Sequence, residues 1–225
     1  MIKKQHPWLD QYPVNNDSTG LIIGTHPPMP YRGCMPFYYG NMNEFWRLLE
    51  LVYTSDDFFD KDGKPELESI KKWLEKYNLS ITDMVKYTNN NFSVDSDMEI
   101  AKGIEQLNDN LYNWIKDSNL NTIYFTSFGI GKSAYGLFRR WYKIYFKEIL
   151  DSGNEIINSK EEYLIINIFD RNIKLVMLYS PSPAARRGIP RSNPYKNWLK
   201  NNQNIEKPID EFRIYWYRKH LPKNK

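Results

Sequence analysis

Three short stretches of this chain carry side chains that can move protons or hold anionic groups. In the first, Gly24-Thr25-His26-Pro27-Pro28, an imidazole sits in a turn made of glycine and proline. An unperturbed imidazole titrates near pH ~6.5, so in its neutral form it can take a proton from water. In the second, Ser127-Phe128-Gly129-Ile130-Gly131-Lys132, a hydroxyl and an amine flank two glycines. In the third, Ser180-Pro181-Ser182-Pro183 forms a rigid turn that runs into Arg186, Arg187 and Arg191, with Lys196 beyond. Hydroxyls, backbone N–H groups and guanidinium groups are the usual partners of phosphate. The Gly129–Ser133 run is not a nucleotide-binding P-loop, because G-x-x-x-x-G-K is not met.

These stretches need elements to hold them, and the hydrophobic pattern supplies strands and helices in alternation. Residues 21–24 read as a buried strand, and 43–52 as an amphipathic helix with Asn43 at its N-cap and Glu44 in its first turn. Residues 64–77 and 100–116 read as two further helices, 122–126 as a strand, and 134–149 as a helix. Residues 163–169 and 173–179 read as strands around a turn at Asp170, Arg171 and Asn172. Residues 193–217 are expected to be helical in part, with Pro208 breaking the run. Strands alternating with helices predict an α/β fold with a parallel sheet, and each of the three loops follows a strand. Ligand sites in such sheets lie outside the carboxyl ends of the strands, so one site could be assembled from all three.

Composition limits the partners. At 225 residues, with 41% hydrophobic and 16% aromatic residues, the chain suits a single domain, 1–225, that buries a full core. No apolar stretch reaches membrane-spanning length, and the N-terminus lacks a signal-peptide core, so no membrane partner is expected. The single cysteine, Cys34, excludes an intrachain disulfide and a cysteine-rich metal site. A cytoplasmic protein is the expectation. The net charge is only +4, yet the segment 171–225 holds 13 Lys+Arg against 3 Asp+Glu. That basic C-terminal quarter points to an anionic partner, nucleic acid before an acidic membrane surface, or else to a solvated basic tail.

Four blocks, in order, resemble the uracil-DNA glycosylase superfamily. They are LIIGTHPP with PFYYGNMNEFWRLL, then SITDMVKYTNNNFSVDSD, then TIYFTSFGIGKSAYGLF, then YSPSPAARRGIPR. The chain is most similar to the mismatch-specific uracil/thymine-DNA glycosylases, and next to the hypoxanthine-DNA glycosylases. The resemblance covers roughly residues 21–198. It implies a three-layer α/β/α sandwich around a short, mainly parallel four-stranded sheet. It also implies a monomer that acts on double-stranded DNA carrying a damaged or modified base, with neither cofactor nor metal.

The resemblance also assigns roles. Tyr38 falls where the family stacks an aromatic on the extruded base, with Phe37 and Tyr39 beside it as alternatives or as plain core. His26 stands where relatives carry Asn or Asp, the residue that holds or deprotonates the attacking water, or else it is a structural hydrogen-bonding residue. Asn43 is the alternative water-positioning residue, or a helix cap. Thr25, Ser127, Gly131 and Lys132 fall in the base-reading segments, although the family's Asn is missing there. Asp83 and Asp95 are expected to support loops rather than act as a base. Ser180 and Ser182 would clamp phosphates, and Arg186 would be the wedge inserted into the vacated stack, a place that Ala184 takes in an alternative alignment. Arg187, Arg191 and Lys196 would follow the backbone. The expected reaction is hydrolysis of an N-glycosidic bond, leaving an abasic site. The excised base is either damaged or mismatched, or a hypermodified pyrimidine of phage DNA. A silent DNA-binding relative is the reading from another class.

Overall fold

The computed structural model describes residues 3–26, 37–39, 44–89, 106–129 and 131–223. Its centre is a sheet of five strands: β2 (Gly20–Gly24), β3 (Leu79–Asp83), β5 (Thr122–Phe125), β6 (Tyr163–Ile168) and β7 (Arg171–Met177), in the order β3-β2-β5-β7-β6. The first four in that order run parallel, and β6 pairs antiparallel with β7 at the edge. A separate two-stranded ribbon joins β1 (Lys3–Gln5) to β4 (Tyr87–Asn89).

Strand alternation puts helices on both faces. On β5, Phe125 meets Tyr135 and Phe138 of α4 (Ala134–Phe146), with ring centroids 5.0 and 4.9 Å apart. Its neighbour Tyr124 points to the other face, the side of Tyr53 at the end of α1 (Phe45–Val52). Helix α2 (Leu67–Lys76) joins that side through Trp73, whose ring lies 5.2 Å from Tyr53. Helix α7 (Pro208–His220) packs on α1 through Phe45 and Tyr217, and the Trp216 indole donates to the Met177 carbonyl at 2.9 Å. Helix α3 (Asn110–Asp117) meets α4 through Tyr112 and Tyr145, 5.3 Å apart. The three layers expected from the sequence are present, around five strands rather than four.

The additional strand is β3. Its five residues are all buried although three are polar, which hides it from a hydrophobicity reading. Each polar group has a partner: Ser80 Oγ accepts from the Asn15 N–H at 3.0 Å, and Thr82 Oγ1 accepts from Asn108 Nδ2 at 3.2 Å. Satisfied polar groups cost little to bury.

Element limits differ from the expectation in specific places. The N-cap of α1 is Glu44, not Asn43, and Asn43 lies outside the described residues. The third helix, expected over 100–116, is α3 and begins only at Asn110; residues 106–109 are not α-helical, and 100–105 lie outside the described residues. Helix α4 stops at Lys147, whose φ of +61° is left-handed, rather than at residue 149. The hairpin turn falls on Phe169 and Asp170, both with positive φ, and Arg171 and Asn172 belong to β7. Pro208 starts α7 rather than breaking a longer helix, since a first-turn proline has no N–H to lose. Helix α6 (Asn193–Lys200) precedes it, and α5 (Gly153–Asn158), unforeseen, is fixed by a Ser152/Glu155 capping box. Among the described residues no helix is long and apolar enough to cross a membrane.

Candidate functional site

The parallel strands end in one row. Gly24 is paired with Asp83, Ile23 with Phe125, and Phe125 with Met177. The loops that follow these strands therefore leave from a single edge of the sheet. Two of them, the β5–α4 loop and the segment after β7, line a cleft of about 860 Å³. Ser127 and Lys132 face it from the β5–α4 loop, and Ser180, Ser182, Ala184 and Arg191 from the segment after β7. That segment continues as a 3-10 helix, Pro183–Arg191.

Hydrogen bonds hold the cleft wall in place. Ser127 Oγ accepts from the Ala134 N–H at 2.9 Å and so ties the loop to the first turn of α4. That bond uses a lone pair and leaves the hydroxyl hydrogen to donate. Ser133 caps α4, accepting from the Gly136 N–H at 3.0 Å. Gly131, exposed with φ +85°, turns the loop through a conformation that a side chain would oppose. Ser180 Oγ accepts from the Ser182 N–H at 3.2 Å, which keeps the Pro-Ser turn closed.

The described residues of the first loop, Thr25 and His26, reach the same edge but do not line this cleft. Thr25 is half-buried, and its carbonyl accepts from the Val85 N–H at 3.1 Å. His26 is half-buried, edge-on to His6 with ring centroids 5.3 Å apart. Behind it lies a buried polar cluster that includes a pair the sequence did not disclose: His6 Nε2 and Asp83 Oδ2, 3.0 Å apart. The Trp8 N–H donates to His6 Nδ1 at 3.0 Å, which leaves the ring proton on Nε2, facing the carboxylate. Gly24 is required beside this pair, because a Cβ there would lie 2.2 Å from Asp83 Oδ1 and 2.7 Å from the Tyr39 hydroxyl.

The aromatic trio 37–39 is buried. Tyr38 has 0% of its surface exposed and packs 5.1 Å from Phe37 and 5.5 Å from His6. Tyr39 stacks on Phe45 at 4.2 Å. Its hydroxyl donates to Thr126 Oγ1 at 3.0 Å, since the Thr126 proton goes to the Ile23 carbonyl. Burial first, and then the Asp83 charge, raise the Tyr38 and Tyr39 phenols well above the usual value, so both stay protonated. Of the expected base-binding residues, then, Ser127 and Lys132 line the cleft, while Tyr38 and Tyr39 sit in the core in this structure. Asn43 and Asp95 lie outside the described residues.

The basic residues divide. Arg187, Arg191 and Lys196 are exposed. Arg186 is held: its guanidinium bonds both carboxylate oxygens of Glu44 at 2.9 Å and lies 3.1 Å from Asp210. The buried Arg213 reaches the same two acids, at 2.9 and 3.5 Å. Burial works against the Glu44 charge, but hydrogen bonds from Arg213 and Arg186 outweigh it, and its pKa lies below the usual 4.5. Two arginines and two carboxylates thus clamp the 3-10 helix to the starts of α1 and α7. No sequence signal marked this clamp, because Glu44, Arg186 and the Asp210/Arg213 pair come from three distant parts of the chain. Among the described residues no cluster of His, Cys, Asp or Glu could hold a metal ion.

No protein-family model and no curated protein matches the chain. Among solved structures it is similar to the solution NMR structure of a "putative Uracil DNA glycosylase" from Methanosarcina acetivorans. The two are 19% identical over 92% of each chain, with a TM-score of 0.48. At that identity and score the likeness settles neither family nor reaction.

Proposed function

We propose that this protein is a DNA glycosylase of the uracil-DNA glycosylase superfamily, which flips a base out of duplex DNA and hydrolyses its bond to the sugar. One observation carries the reading: the loops after β5 and β7 share a cleft of about 860 Å³ at the carboxyl edge of the sheet, with Arg191 on it and Arg187 and Lys196 exposed nearby. A cavity with room for a nucleotide beside exposed cations is what an enzyme needs to take one base out of a charged polymer.

In this reading the Ser127 hydroxyl and Lys132 meet the base edge, and Ser180 and Ser182 hold the flanking phosphates. Neutral His26, with Asn43 as the alternative, holds the water that attacks the sugar carbon. The C–N bonding pair leaves with the base, and the water's proton passes to the imidazole or to the departing base. An imidazolium at that point would oppose the cationic sugar. Arg186 acts as the wedge once it leaves Glu44 and Asp210. The lysine-amine route of bifunctional enzymes would need Lys132 as its nucleophile; direct hydrolysis needs no amine.

A hypermodified pyrimidine of phage DNA, which would give the protein a defence role, is the second reading. It is favoured by a cleft with more room than an unmodified pyrimidine fills. Both readings are tested with duplexes carrying U:G, T:G, hypoxanthine or modified cytosines, and with phage DNA of modified composition, followed by alkaline cleavage at abasic sites. Breaks that are lost in His26→Ala or Asn43→Ala support the enzyme. Binding without breaks on every substrate leaves only a silent DNA-binding relative.

A further inference from the structure

A second cleft, of about 520 Å³, opens beside the first and shares Ile157, Asn158 and Asn193 with it. Its chemistry differs. No lysine or arginine lines it, and its polar lining includes the amides of Asn193, Asn197 and Asn201 with Ser159 and the Glu162 carboxylate. Asn193 and Asn197 stand one turn apart on α6, and Asn201, which caps its C-terminal end, follows at the same spacing, so the three lie along one side. All three are exposed, so their donors and acceptors can meet a ligand. Trp198 and Tyr215 also line the cleft, with ring centroids 6.1 Å apart, and Tyr215 is 40% exposed.

A second row lies next to the amides on the same helix: Lys196 and Lys200, both exposed. An amide row offers paired donors and acceptors to a neutral polar edge. An aromatic face offers stacking, and a lysine row offers charge to an anion. A ligand that uses all three has a flat polar ring and a phosphate on one unit, which describes a nucleotide.

We infer that this second cleft takes an unpaired nucleobase of the DNA strand, beyond the nucleotide held in the first cleft. The base stacks on Trp198 and Tyr215, the Asn193–Asn197–Asn201 row meets its edge, and Lys196 and Lys200 meet its phosphates. The choice of DNA as partner rests on the glycosylase reading, but the cleft can be tested without base release.

Fluorescence anisotropy on the full chain compares three labelled probes: an oligothymidylate of about ten nucleotides, an oligomer of equal length built of base-free deoxyribose phosphates, and a hairpin duplex. The oligothymidylate should bind at least about tenfold more tightly than the base-free oligomer. Trp198→Ala and Asn197→Leu should each remove most of that difference and leave duplex affinity within about twofold. Trp198 packs against Tyr195 and Phe212, so its loss could unfold the chain. Asn197 is exposed, and its variant keeps the test open. Equal affinity for the two single-stranded probes, or an unchanged preference in folded Asn197→Leu, overturns the inference. Base release, read in the same samples, separates the two proposals. A protein that prefers oligothymidylate but releases no base from any duplex keeps this cleft and loses the glycosylase reading. One that releases base without the preference does the reverse.

Discussion

His6 Nε2 donates a hydrogen bond to Asp83 Oδ2 over 3.0 Å, and both side chains are buried behind His26. The bond ties the N-terminal segment to the end of β3, across 77 residues of sequence. A buried hydrogen bond to a charged acceptor contributes roughly 1.5–3 kcal/mol. Asp83→Ala should therefore lower unfolding stability by about 2 kcal/mol in urea melts, with Asp83→Asn milder because the amide oxygen still accepts. A midpoint equal to wild type in Asp83→Ala would show that the pair contributes nothing to the fold.

The clamp at Glu44 should show in acid. Its carboxyl titrates below the usual 4.5 in the folded chain, because bonds from Arg213 and Arg186 outweigh the cost of burial. A depressed folded pKa means that the unfolded chain binds the proton first as pH falls. The stabilisation is therefore complete above the ordinary value and is lost as pH drops through the folded one. Acid titration followed by tryptophan fluorescence should show Glu44→Gln less stable than wild type at neutral pH, with a shallower loss between about pH 5 and pH 3. Parallel acid limbs would contradict the assignment.

Arg187 and Arg191 are exposed beside the first cleft. Each phosphate contact releases counterions, so removing one cation lowers the slope of log affinity against log salt by about 1. Duplex binding by Arg187→Ala and Arg191→Ala, measured across salt concentrations, should show that drop with little change between sequences. Slopes identical to wild type in both variants would remove these arginines from the DNA interface.

The β6–β7 turn carries two non-glycine residues at positive φ, Phe169 at 52° and Asp170 at 58°. Phe169 repays its strain through contacts with Tyr112 and Phe146, at 5.0 and 5.7 Å. Asp170 has no such packing. Asp170→Gly should therefore raise stability by up to about 1 kcal/mol, the strain of a left-handed residue less the entropy glycine adds to the unfolded chain. A lower melting temperature in that variant would point to a contact of the Asp170 side chain that outweighs the strain.

Much of the scaffold was legible in the sequence, because β2, β5 and β7 are apolar runs that each open into a loop of Gly, Pro or Ser. The parallel order follows from the helices between them. What stayed hidden was held by partners distant in sequence. Strand β3 buries Ser80, Thr82 and Asp83 only because Asn15, Asn108 and His6 meet them. Arg186 reads as a free cation in a basic stretch, yet Glu44 and Asp210, 142 and 24 positions away, hold it. The site was legible as loops rather than as contacts. Ser127, Lys132, Ser180 and Ser182 share a cleft as the strand order requires, whereas the burial of Tyr38 depends on His6 and Phe37 closing over its ring.

Base release is the reaction on which the glycosylase reading stands, and the free base is its immediate product. Duplexes bearing each candidate base are incubated with excess protein, and the small-molecule fraction is read by mass spectrometry for a released nucleobase. A glycosylase yields one free base, an equal amount of alkali-sensitive sites in the DNA, and loss of both in His26→Ala or in Asn43→Ala. Tight, salt-sensitive binding to every duplex with no base released from any of them would contradict that reading.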